Sequence, residues 1–470
     1  MFSWLGFPLG ITRVTNKVIE LLIEMEYLFY LTKQRRYYFM SKFFYRPIVG
    51  IDVSADFSVV AILAPDGEVY RKPFKIKHNR NGFDYLVDQI KKAEEEFNMK
   101  TAIFMESTGV YHLTLFHFLR DTFETCILNP LITNCNKNGD IRKVKNDKKD
   151  ALTIAKIGKF QNVKYTSAFD IEIYTLKALC RDYYKFTDSK STFKKKLSTD
   201  LKIIFPSYSS VFSNITCKTS IAILKEYSSP KAILNADKNE LIDLIRSHSR
   251  KGLTYSEKIY KKLIDAAEEA IYIGLKSPSL FVKIMNTISV IETLENQLNN
   301  LLNEIHSLMK SNRISEQFKK NVQLIYSIPG IGELTAITIM SEIGNIKGFV
   351  KAKHLVAYFG IDPSVNQSGK FNSNKNTMSK RGTRIGRRAL YAVALASIRT
   401  SRSGEPINKV LLTYYKENLN GKSKKVALVA IMHKLVNYIF SVLRNQKEYE
   451  IRDPKIHIKM YLNNGSTTAA

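Results

Sequence analysis

Cysteine is scarce in this sequence, and its spacing excludes the sites that cysteine usually builds. Only four cysteines occur in 470 residues, at positions 126, 135, 180 and 217, with no C-x-x-C pair and no histidine suitably placed for zinc. This excludes a disulfide-rich secreted scaffold and a cysteine-based zinc site. Because no convincing secretory signal is present either, we expect reduced thiols in a cytoplasmic protein.

An uninterrupted membrane-spanning run is also missing from residues 1–46. The most apolar stretch of this segment, residues 18–31, is broken by Glu20, Glu24 and Glu26, whereas a span needs about 20 consecutive apolar residues. We therefore expect no membrane partner and interpret residues 1–46 as an N-terminal extension with an amphipathic helix. Met40 stands shortly before the first strand, and the alternative is that translation starts there.

Acidic residues are outnumbered by basic ones. The 72 Lys and Arg against 43 Asp and Glu give a net charge of +29 and a pI near 9.7. Such an excess predicts a polyanionic partner; the alternatives are a merely soluble basic surface or ribosome association. The apolar fraction of 44% excludes disorder throughout.

The length predicts two or three domains, and the first is α/β. From Pro47 the pattern gives a three-strand meander over residues 48–53, 58–63 and 69–76. Helices and strands then alternate to residue 128. We expect a mixed-sheet domain over residues 47–160.

The rest of the chain is predicted to be helical. Residues 161–320 are lysine-rich and end in a stripe of apolar residues with spacings of three and four between Ile284 and Leu308, which predicts a helical hairpin or coiled coil; an ordinary buried helix face is the alternative. A compact, mostly helical domain is expected over residues 321–449. A polar tail, residues 450–470, follows it.

Four carboxylates in the α/β domain form a candidate metal site. Asp52 lies inside the first apolar strand, Glu106 ends a later strand, and Asp147 and Asp150 share a face of a helix. Mg²⁺ prefers hard oxygen ligands, and two such ions stabilise the attacking and leaving oxygens of a phosphodiester. Lys145, Lys148 and Lys149 beside the last pair suit a phosphate backbone. Taken alone, Asp147 and Asp150 are more often a solvated helix face.

A glycine-punctuated turn opens the C-terminal domain. Residues 327–336 place Gly330 and Gly332 between two apolar helices, a pattern similar to a helix-hairpin-helix. Glycine lets the backbone approach a phosphate, and the amides of the next helix point at it. A purely structural packing corner is the alternative.

A basic loop follows this turn. Between Lys370 and Arg388 there are seven Lys or Arg and no acid. These cations are suited to clamp a scissile phosphate. A serine that attacks phosphorus needs such surroundings, and Ser364, Ser368, Ser373 and Ser379 rank nearly equal as loop hydroxyls.

The acidic segments resemble the DEDD motifs of the Insertion Sequence 110 family of transposases, which also includes Piv-type DNA invertases. The matching segments, in chain order, are Val49-Gly50-Ile51-Asp52, Met105-Glu106-Ser107-Thr108-Gly109-Val110-Tyr111 and Asn146-Asp147-Lys148-Lys149-Asp150-Ala151. The resemblance implies an RNase H-like domain similar to the Holliday-junction resolvase RuvC. It also implies that Asp52, Glu106, Asp147 and Asp150 bind the catalytic metal, Mg²⁺ with Mn²⁺ as the alternative.

The basic loop resembles the second domain of that family, in which the serine of a Ser-Gly step becomes covalently joined to DNA. The matching nucleophile is Ser368, and the resemblance makes Lys380 and Arg381 phosphate contacts. Lys370, in the same basic loop, is a further candidate contact because of its charge. The resemblance covers residues 47–160 and 321–445. It does not cover the N-terminal extension or the long lysine-rich middle.

The family resemblance implies a nucleoid-associated recombinase of an insertion sequence. Its partners would be donor and target DNA, a noncoding bridge RNA and further copies of the chain in a dimer or tetramer. Nothing in the composition or spacing shows the RNA. The alternatives are a Piv-like invertase, a junction nuclease that uses the acids alone, and a nonenzymatic nucleic-acid-binding protein.

Overall fold

The structure is a computed structural model that describes most of the chain. The described residues are 41–107, 109–137, 146–163, 165–166, 170–364, 367–368, 371–372 and 377–451. Residues 1–40, where the amphipathic helix is expected, lie outside the described residues. So do residues 452–470 of the expected tail. The chain divides into two compact units, Met1–Phe169 and Asp170–Ala470, and each is described by itself.

The first unit contains a mixed six-stranded sheet in the order β3-β2-β1-β4-β5-β6. The strands are β1 (Ile48–Val53), β2 (Phe57–Leu63), β3 (Val69–Lys77), β4 (Ala102–Glu106), β5 (Glu124–Leu128) and β6 (Tyr165–Thr166). Strands β1 to β3 form an antiparallel meander, β4 and β5 run parallel to β1, and β6 is antiparallel to β5. The predicted α/β domain with a mixed sheet is confirmed; β6 was not anticipated.

Helices cover both faces of this sheet. They are α1 (Arg80–Phe97), α2 (His112–Leu119), α3 (Pro130–Lys137) and α4 (Asp147–Phe160). Val49 and Ile51 of β1 pack in one core with Leu86 and Ile90 of α1. Since successive strand residues point to opposite faces, Ile48 lies in the other core, with α4. A central strand buried on both faces explains the continuous apolar run of β1.

The second unit is almost entirely helical, which confirms the predicted helical region. Its elements are α5 (Ile171–Ile204), α6 (Tyr208–Val211), α7 (Lys218–Glu226), α8 (Pro230–Leu234), α9 (Lys238–Ser249), α10 (Leu253–Ile273), α11 (Pro278–Lys310), α12 (Glu316–Tyr326), α13 (Glu333–Ile343), a 3₁₀ turn (Ile346–Gly348), α14 (Ala352–Phe359), β7 (Gln367–Ser368), β8 (Phe371–Asn372), α15 (Arg384–Ser397), α16 (Lys409–Asn418) and α17 (Lys424–Asn445).

The two longest helices, α5 and α11, pack antiparallel. Lys190 of α5 lies 3.1 Å from Glu295 of α11. Nearer the other end, the buried carboxylate of Asp200 accepts from Lys196 at 2.8 Å and from Lys283 of α11 at 2.7 Å. The apolar stripe predicted from spacing lies on α11, and Ile284, Ile288 and Ile291 at its start pack in a core with the short helices α6 to α10. Because α6 to α10 separate α5 from α11 along the chain, the two helices are neighbours in the fold and not in the sequence.

Helix α17 is the central helix of the C-terminal core. Its buried residues, including Leu428, Leu435 and Ile439, belong to one cluster with α12 to α15. Among the residues that the structure describes, α17 is the one helix with the length and hydropathy of a membrane span. Its place in this cluster accounts for its apolar character.

The described cysteine side chains, Cys126, Cys180 and Cys217, form no disulfide. Burial raises the pKa of Cys126 to about 12 and that of Cys180 to about 11. Because the thiolate is the reactive form, these two thiols are chemically inert at neutral pH.

Candidate active site

Asp52 and Glu106 occupy neighbouring positions on adjacent parallel strands. The register of β1 and β4 pairs Gly50 with Phe104 and Ile51 with Met105, so the next position brings Asp52 beside Glu106. In β1 and β4 the even-numbered residues, such as Ile48 and Phe104, face α4. Asp52 and Glu106 are therefore on that face as well. The prediction that these two acids meet at the carboxyl end of the sheet agrees with this register.

Helix α4 lies directly on β1 because Gly50 has no side chain. A Cβ on Gly50 would be 2.3 Å from the carbonyl oxygen of Ala151 and 2.4 Å from the backbone nitrogen of Ala155. Real Cβ atoms essentially never approach other atoms so closely. The small residues Gly50 in β1 and Ala151 and Ala155 in α4 therefore allow the helix to lie this close to the sheet.

The direction of α4 brings its N-terminus to the edge that carries Asp52. Ala151, near the start of α4, packs with Val59, the residue that pairs with Asp52. Ile157, near its end, packs with Ile48 at the opposite end of β1. The first turn of α4, which contains the other two predicted acids, thus lies at the carboxyl end of β1 and β4.

The first turn of α4 is built to tolerate negative charge. Asp147 and Asp150 both lie in it, where the partial positive charge of the helix N-terminus stabilises carboxylates. The side chain of Asn146 accepts a hydrogen bond from the amide of Lys148 at 3.0 Å and caps the helix. Lys148 and Lys149 are exposed on the same turn, as a phosphate contact requires. Lys145 lies outside the described residues.

Two of the four carboxylates are almost completely buried, with 7% exposure for Glu106 and 8% for Asp150. Asp52 and Asp147 are half-buried. Burying a carboxylate is unfavourable unless hydrogen bonds or cations compensate. The burial of Asp150 argues against a solvated helix face, which was the alternative for this acid.

Thr133 is a member of this site that sequence reasoning missed. Its hydroxyl, fully buried on α3, donates to Oε2 of Glu106 at 2.6 Å. A hydrogen bond to a charged group stabilises by about 1.5–3 kcal/mol, and it also fixes the carboxylate rotamer. Thr133 stands 27 residues after Glu106, and a single threonine in a short helix gives no sequence signal for such a contact.

Lys159 anchors the other end of α4 and was also missed. Its fully buried ammonium donates to three backbone carbonyls, those of Phe44 at 2.7 Å and of Arg46 and Pro65 at 3.0 Å. Burial lowers the pKa of Lys159 below its ordinary value. These bonds tie the last turn of α4 to the segment before β1 and to the turn between β2 and β3, and so hold the helix along the sheet.

The donor set suits the predicted Mg²⁺, because all four candidate side chains offer hard carboxylate oxygens. Within the described ranges, however, no three or more His, Cys, Asp and Glu side chains are spaced to hold one metal ion. The structure thus brings Asp52 beside Glu106 and the first turn of α4 to the same edge, without closing a ligand shell. Metal binding stays a prediction that rests on the chemistry and placement of the donors.

The predicted nucleophile lies in a small hairpin of the second unit. Ser368 is the last residue of β7 and pairs with Phe371 of β8. Its backbone stands at the turn of the hairpin. Lys370 lies outside the described residues, as do the side-chain surroundings of Ser368.

Two rival serines brace the base of this hairpin. The hydroxyl of Ser364 donates to the carbonyl of Thr377 at 2.8 Å, and that of Ser379 donates to the carboxylate of Asp362 at 2.5 Å. Both hydroxyls are therefore engaged in holding the two ends of the loop together. A carboxylate is also able to accept a proton from a nucleophile, so Ser379 is the stronger of these two rivals. Ser373 lies outside the described residues.

The basic residues near the hairpin divide into exposed and structural ones. Lys380 and Arg381 are exposed, as expected for phosphate contacts. Arg387 instead donates to the carbonyls of Phe359 and Gly382 at 3.1 and 2.8 Å. Arg388 pairs with Asp188 of α5 at 2.6 Å, so its charge is used within the unit.

The turn between α12 and α13 contains two glycines with different surroundings, because Gly330 is closely packed and Gly332 is not. Gly330 has a φ of +102°, and a Cβ there would lie 2.6 Å from the hydroxyl of Ser397. Nothing lies within 4 Å of the corresponding position at Gly332, the N-cap of α13. Glu333, in the first turn of α13, disfavours a phosphate at that helix end. The close approach of Ser397 at Gly330 is what a packing corner requires, and DNA contact at Gly330 and Gly332 stays a prediction.

A buried ion cluster joins α5 to α13. Glu342 is 2% exposed and accepts from Arg181 at 2.6 and 3.0 Å, with Lys177 at 3.4 Å. Burial acts to raise the pKa of Glu342, but the hydrogen bonds from Arg181 and the neighbouring positive charges outweigh it and the pKa is lowered. This cluster attaches the long helix to the C-terminal core.

Comparison with known proteins matches both candidate regions. A family model described as a transposase of the DEDD IS110 type matches residues 49–206, and a model described as "Transposase IS116/IS110/IS902 family" matches residues 322–409. Together they match more than half of the chain, in the order seen in the sequence. The chain belongs to the IS110 family of transposases. The first model starts within β1 and includes all four acids, and the second includes Ser368.

The relatives of this IS110-family chain are named as proteins of insertion elements or as a gene-inverting protein. An "Insertion element IS110 uncharacterized 43.6 kDa protein" of Streptomyces coelicolor is 24% identical over 233 residues, 49% of this chain and 53% of that protein. A "Transposase for insertion sequence element IS1111A" of Coxiella burnetii is 25% identical over 219 residues, 45% and 54% of the two chains. A "Pilin gene-inverting protein" of Moraxella bovis is 28% identical over 152 residues, 32% and 45%. The chain thus matches about half the length of these curated relatives.

Proposed function

We propose that this protein is a DNA recombinase of an insertion sequence, which cuts and rejoins DNA through metal-assisted attack by Ser368. The observation that carries the proposal is the convergence of β1, β4 and the first turn of α4, each with its acid, at one sheet edge of a chain that belongs to the IS110 family. The strand order, with three antiparallel strands followed by two parallel ones, supports an RNase H-like fold similar to RuvC.

The four acids would hold divalent metal, Mg²⁺ or Mn²⁺, which when bound polarises a phosphodiester and stabilises developing charge on its oxygens. Asp52 and Glu106 supply ligands from rigid strands, and Thr133 keeps the Glu106 carboxylate in one orientation. Asp147 and Asp150 supply oxygens from the helix end. Lys148 and Lys149 on the same turn would contact the DNA backbone.

Ser368 would supply the attacking hydroxyl. Its position at the end of β7 supports this role, because Ser368 lies in a loop whose two ends are held together by the hydroxyls of Ser364 and Ser379. Attack on phosphorus would join the serine oxygen to DNA and release a DNA hydroxyl. The exposed Lys380 and Arg381 would balance the phosphate charge.

The acid site and the serine would form a composite centre shared between subunits of a dimer or tetramer, in a protein associated with the nucleoid. The resemblance further suggests a bridge RNA that pairs with donor and target DNA. The net charge of +29 and the basic middle region are compatible with binding that RNA by shape and charge. Purification of the protein from cells and sequencing of the bound RNA tests this part; recovery of bulk cellular RNA alone would contradict it.

A recombination assay tests the chemistry directly. Wild-type protein should join donor and target DNA, Asp52→Asn should abolish the reaction while DNA binding is kept, and Ser368→Ala should abolish the covalent protein–DNA adduct. DNA cleavage that persists in Ser368→Ala would instead support a junction nuclease that uses the acids alone. Recombination by Asp52→Asn would refute the acid site. Wild-type protein that binds DNA but neither cuts nor joins it would support a nonenzymatic nucleic-acid-binding role.

A second candidate is inversion of a DNA segment at fixed sites. The similarity to the pilin gene-inverting protein supports it. The chemistry would be the same, and the difference lies in the DNA substrate. Sequencing of the flanks of the gene separates them, because inverted sites that switch orientation favour inversion, whereas a discrete structured RNA favours transposition.

A further inference from the structure

Lys75 lies in the same row of the sheet as the acid site. The register pairs Lys75 of β3 with Val59 of β2, and Val59 with Asp52 of β1. Residues paired across strands point to the same face, so Lys75 lies on the face that α4 covers. At about 4.8 Å per strand, its Cα is about 10 Å from that of Asp52. This is the length of about three nucleotides along a DNA strand.

The ammonium of Lys75 lies over an aromatic ring. It sits 3.3 Å from the centre of the Phe57 ring. Phe57 is half-buried and packs against a cluster that contains Ala151 of α4, the residue directly after Asp150. A cation over an aromatic ring stabilises by about 0.5–1 kcal/mol at an exposed site, which restricts a side chain that otherwise samples many rotamers. The charge is thus held beside the helix turn that carries two of the acids.

The charge of Lys75 is not used within the unit. Among the residues that the structure describes, no carboxylate pairs with it, and residues 69–83 contain five Lys or Arg and no acid. Arg71 on the same strand differs, since its guanidinium donates to the Tyr85 hydroxyl of α1 at 2.8 Å, on the other face. A basic edge strand also discourages strand addition, but that role does not require a lysine fixed over a ring.

We propose that Lys75 and Phe57 form a subsite for the sugar-phosphate backbone of the DNA strand that is cut, a few nucleotides from the scissile phosphate. The proposal rests on the proposed function, because it takes the acid edge as the place where the strand is cut. Lys75 would position the strand and Phe57 would position Lys75. Neither residue would take part in the chemistry.

Lysine acetylation measured by mass spectrometry tests this contact on the unmodified full-length protein. Acetylation rates are compared with and without a short duplex DNA, in the absence of divalent metal. Lys91 is the matched control, because it is exposed on α1, on the opposite face of the sheet. We expect DNA to slow acetylation of Lys75 several-fold and to leave Lys91 unchanged. Equal rates with and without DNA, or equal protection of the two lysines, would overturn the proposal.

Binding of the same duplex at several salt concentrations gives a second readout. Removal of one phosphate contact should reduce the slope of log K against log salt by about 0.9, or about eightfold in affinity at 0.1 M salt. We expect this change in Lys75→Ala, a smaller one in Lys75→Arg and none in Lys91→Ala. Protection of Lys75 by duplex RNA but not by DNA would also overturn the proposal.

These outcomes are separable from failure of the proposed function. If Lys75 is protected by DNA while Asp52→Asn still recombines, the DNA contact at Lys75 holds, but the acid chemistry and the assignment of this contact to the cut strand fail. If Asp52→Asn is inactive while Lys75 is unprotected, the chemistry holds and the subsite fails.

Discussion

Replacing Gly50 by alanine tests whether the close packing of α4 on β1 positions Asp147 and Asp150. The new Cβ would lie 2.3 Å from the Ala151 carbonyl oxygen, whereas ordinary contact begins at 3.4 Å. Helix α4 must therefore retreat by about 1 Å, and overpacking of this kind costs about 1–3 kcal/mol. Alanine's better strand propensity offsets about 0.5–1 kcal/mol of that. We expect a net loss of about 1–2 kcal/mol in the free energy of unfolding.

The effect of Gly50→Ala on activity should be larger than its effect on stability. A misplacement of about 1 Å in catalytic groups lowers a rate by about 10²-fold, and Asp147 and Asp150 move with α4. Urea unfolding and the recombination assay measure the two effects. Gly348→Ala is the control, because nothing lies within 4 Å of its Cβ position. An unchanged urea midpoint together with full recombination by Gly50→Ala would refute the reasoning.

Four further predictions follow from individual contacts. Thr133→Val should lower recombination by about tenfold or more, since a hydrogen bond to a charged group is worth about 1.5–3 kcal/mol, while Thr133→Ser keeps the donor and most activity; equal rates for the two variants would contradict this. Glu342→Gln should lower the free energy of unfolding by about 3–5 kcal/mol. Because the folded-state pKa of Glu342 lies below its ordinary value of 4.5, its stabilisation is present above that pH and is lost as pH falls through the folded pKa; unfolding curves of the variant should therefore show a weaker acid dependence than wild type, and an identical dependence would count against the cluster. Ser368→Ala should lose the covalent DNA adduct in a denaturing gel, whereas Ser379→Ala should keep it with reduced stability of the loop; the reverse pattern would make Ser379 the nucleophile. Removal of divalent metal with a chelator should stop cleavage by wild type, and addition of Mg²⁺ or Mn²⁺ should restore it, whereas Asp52→Asn should be inactive throughout. Cleavage that survives chelation would exclude the metal mechanism.

The strands and the position of the acids could be predicted because their signals are local. Continuous apolar runs bounded by turn residues gave β1, β2 and β4 to within a residue or two. Asp52 within an apolar strand and Glu106 at a strand end stand out for the same reason. Asn146 before Asp147 is a helix start that can be read from sequence.

The residues that hold the site in place could not be predicted, because their partners are distant along the chain. Lys159 contacts carbonyls 94 to 115 residues away, and in a lysine-rich chain it looks like any solvated lysine. Thr133 has no local pattern at all. Glu342 did carry a signal, an acid within an apolar helix, but its partner Arg181 lies 161 residues earlier. Side-chain contacts of this range depend on the packed fold.

Anomalous diffraction from crystals of the full-length protein grown with Mn²⁺ and duplex DNA shows directly whether the four acids bind metal together. We expect manganese peaks bounded by the carboxylates of Asp52, Glu106, Asp147 and Asp150, and their loss in Asp52→Asn. Manganese bound elsewhere, or the absence of any peak at that sheet edge, would contradict it.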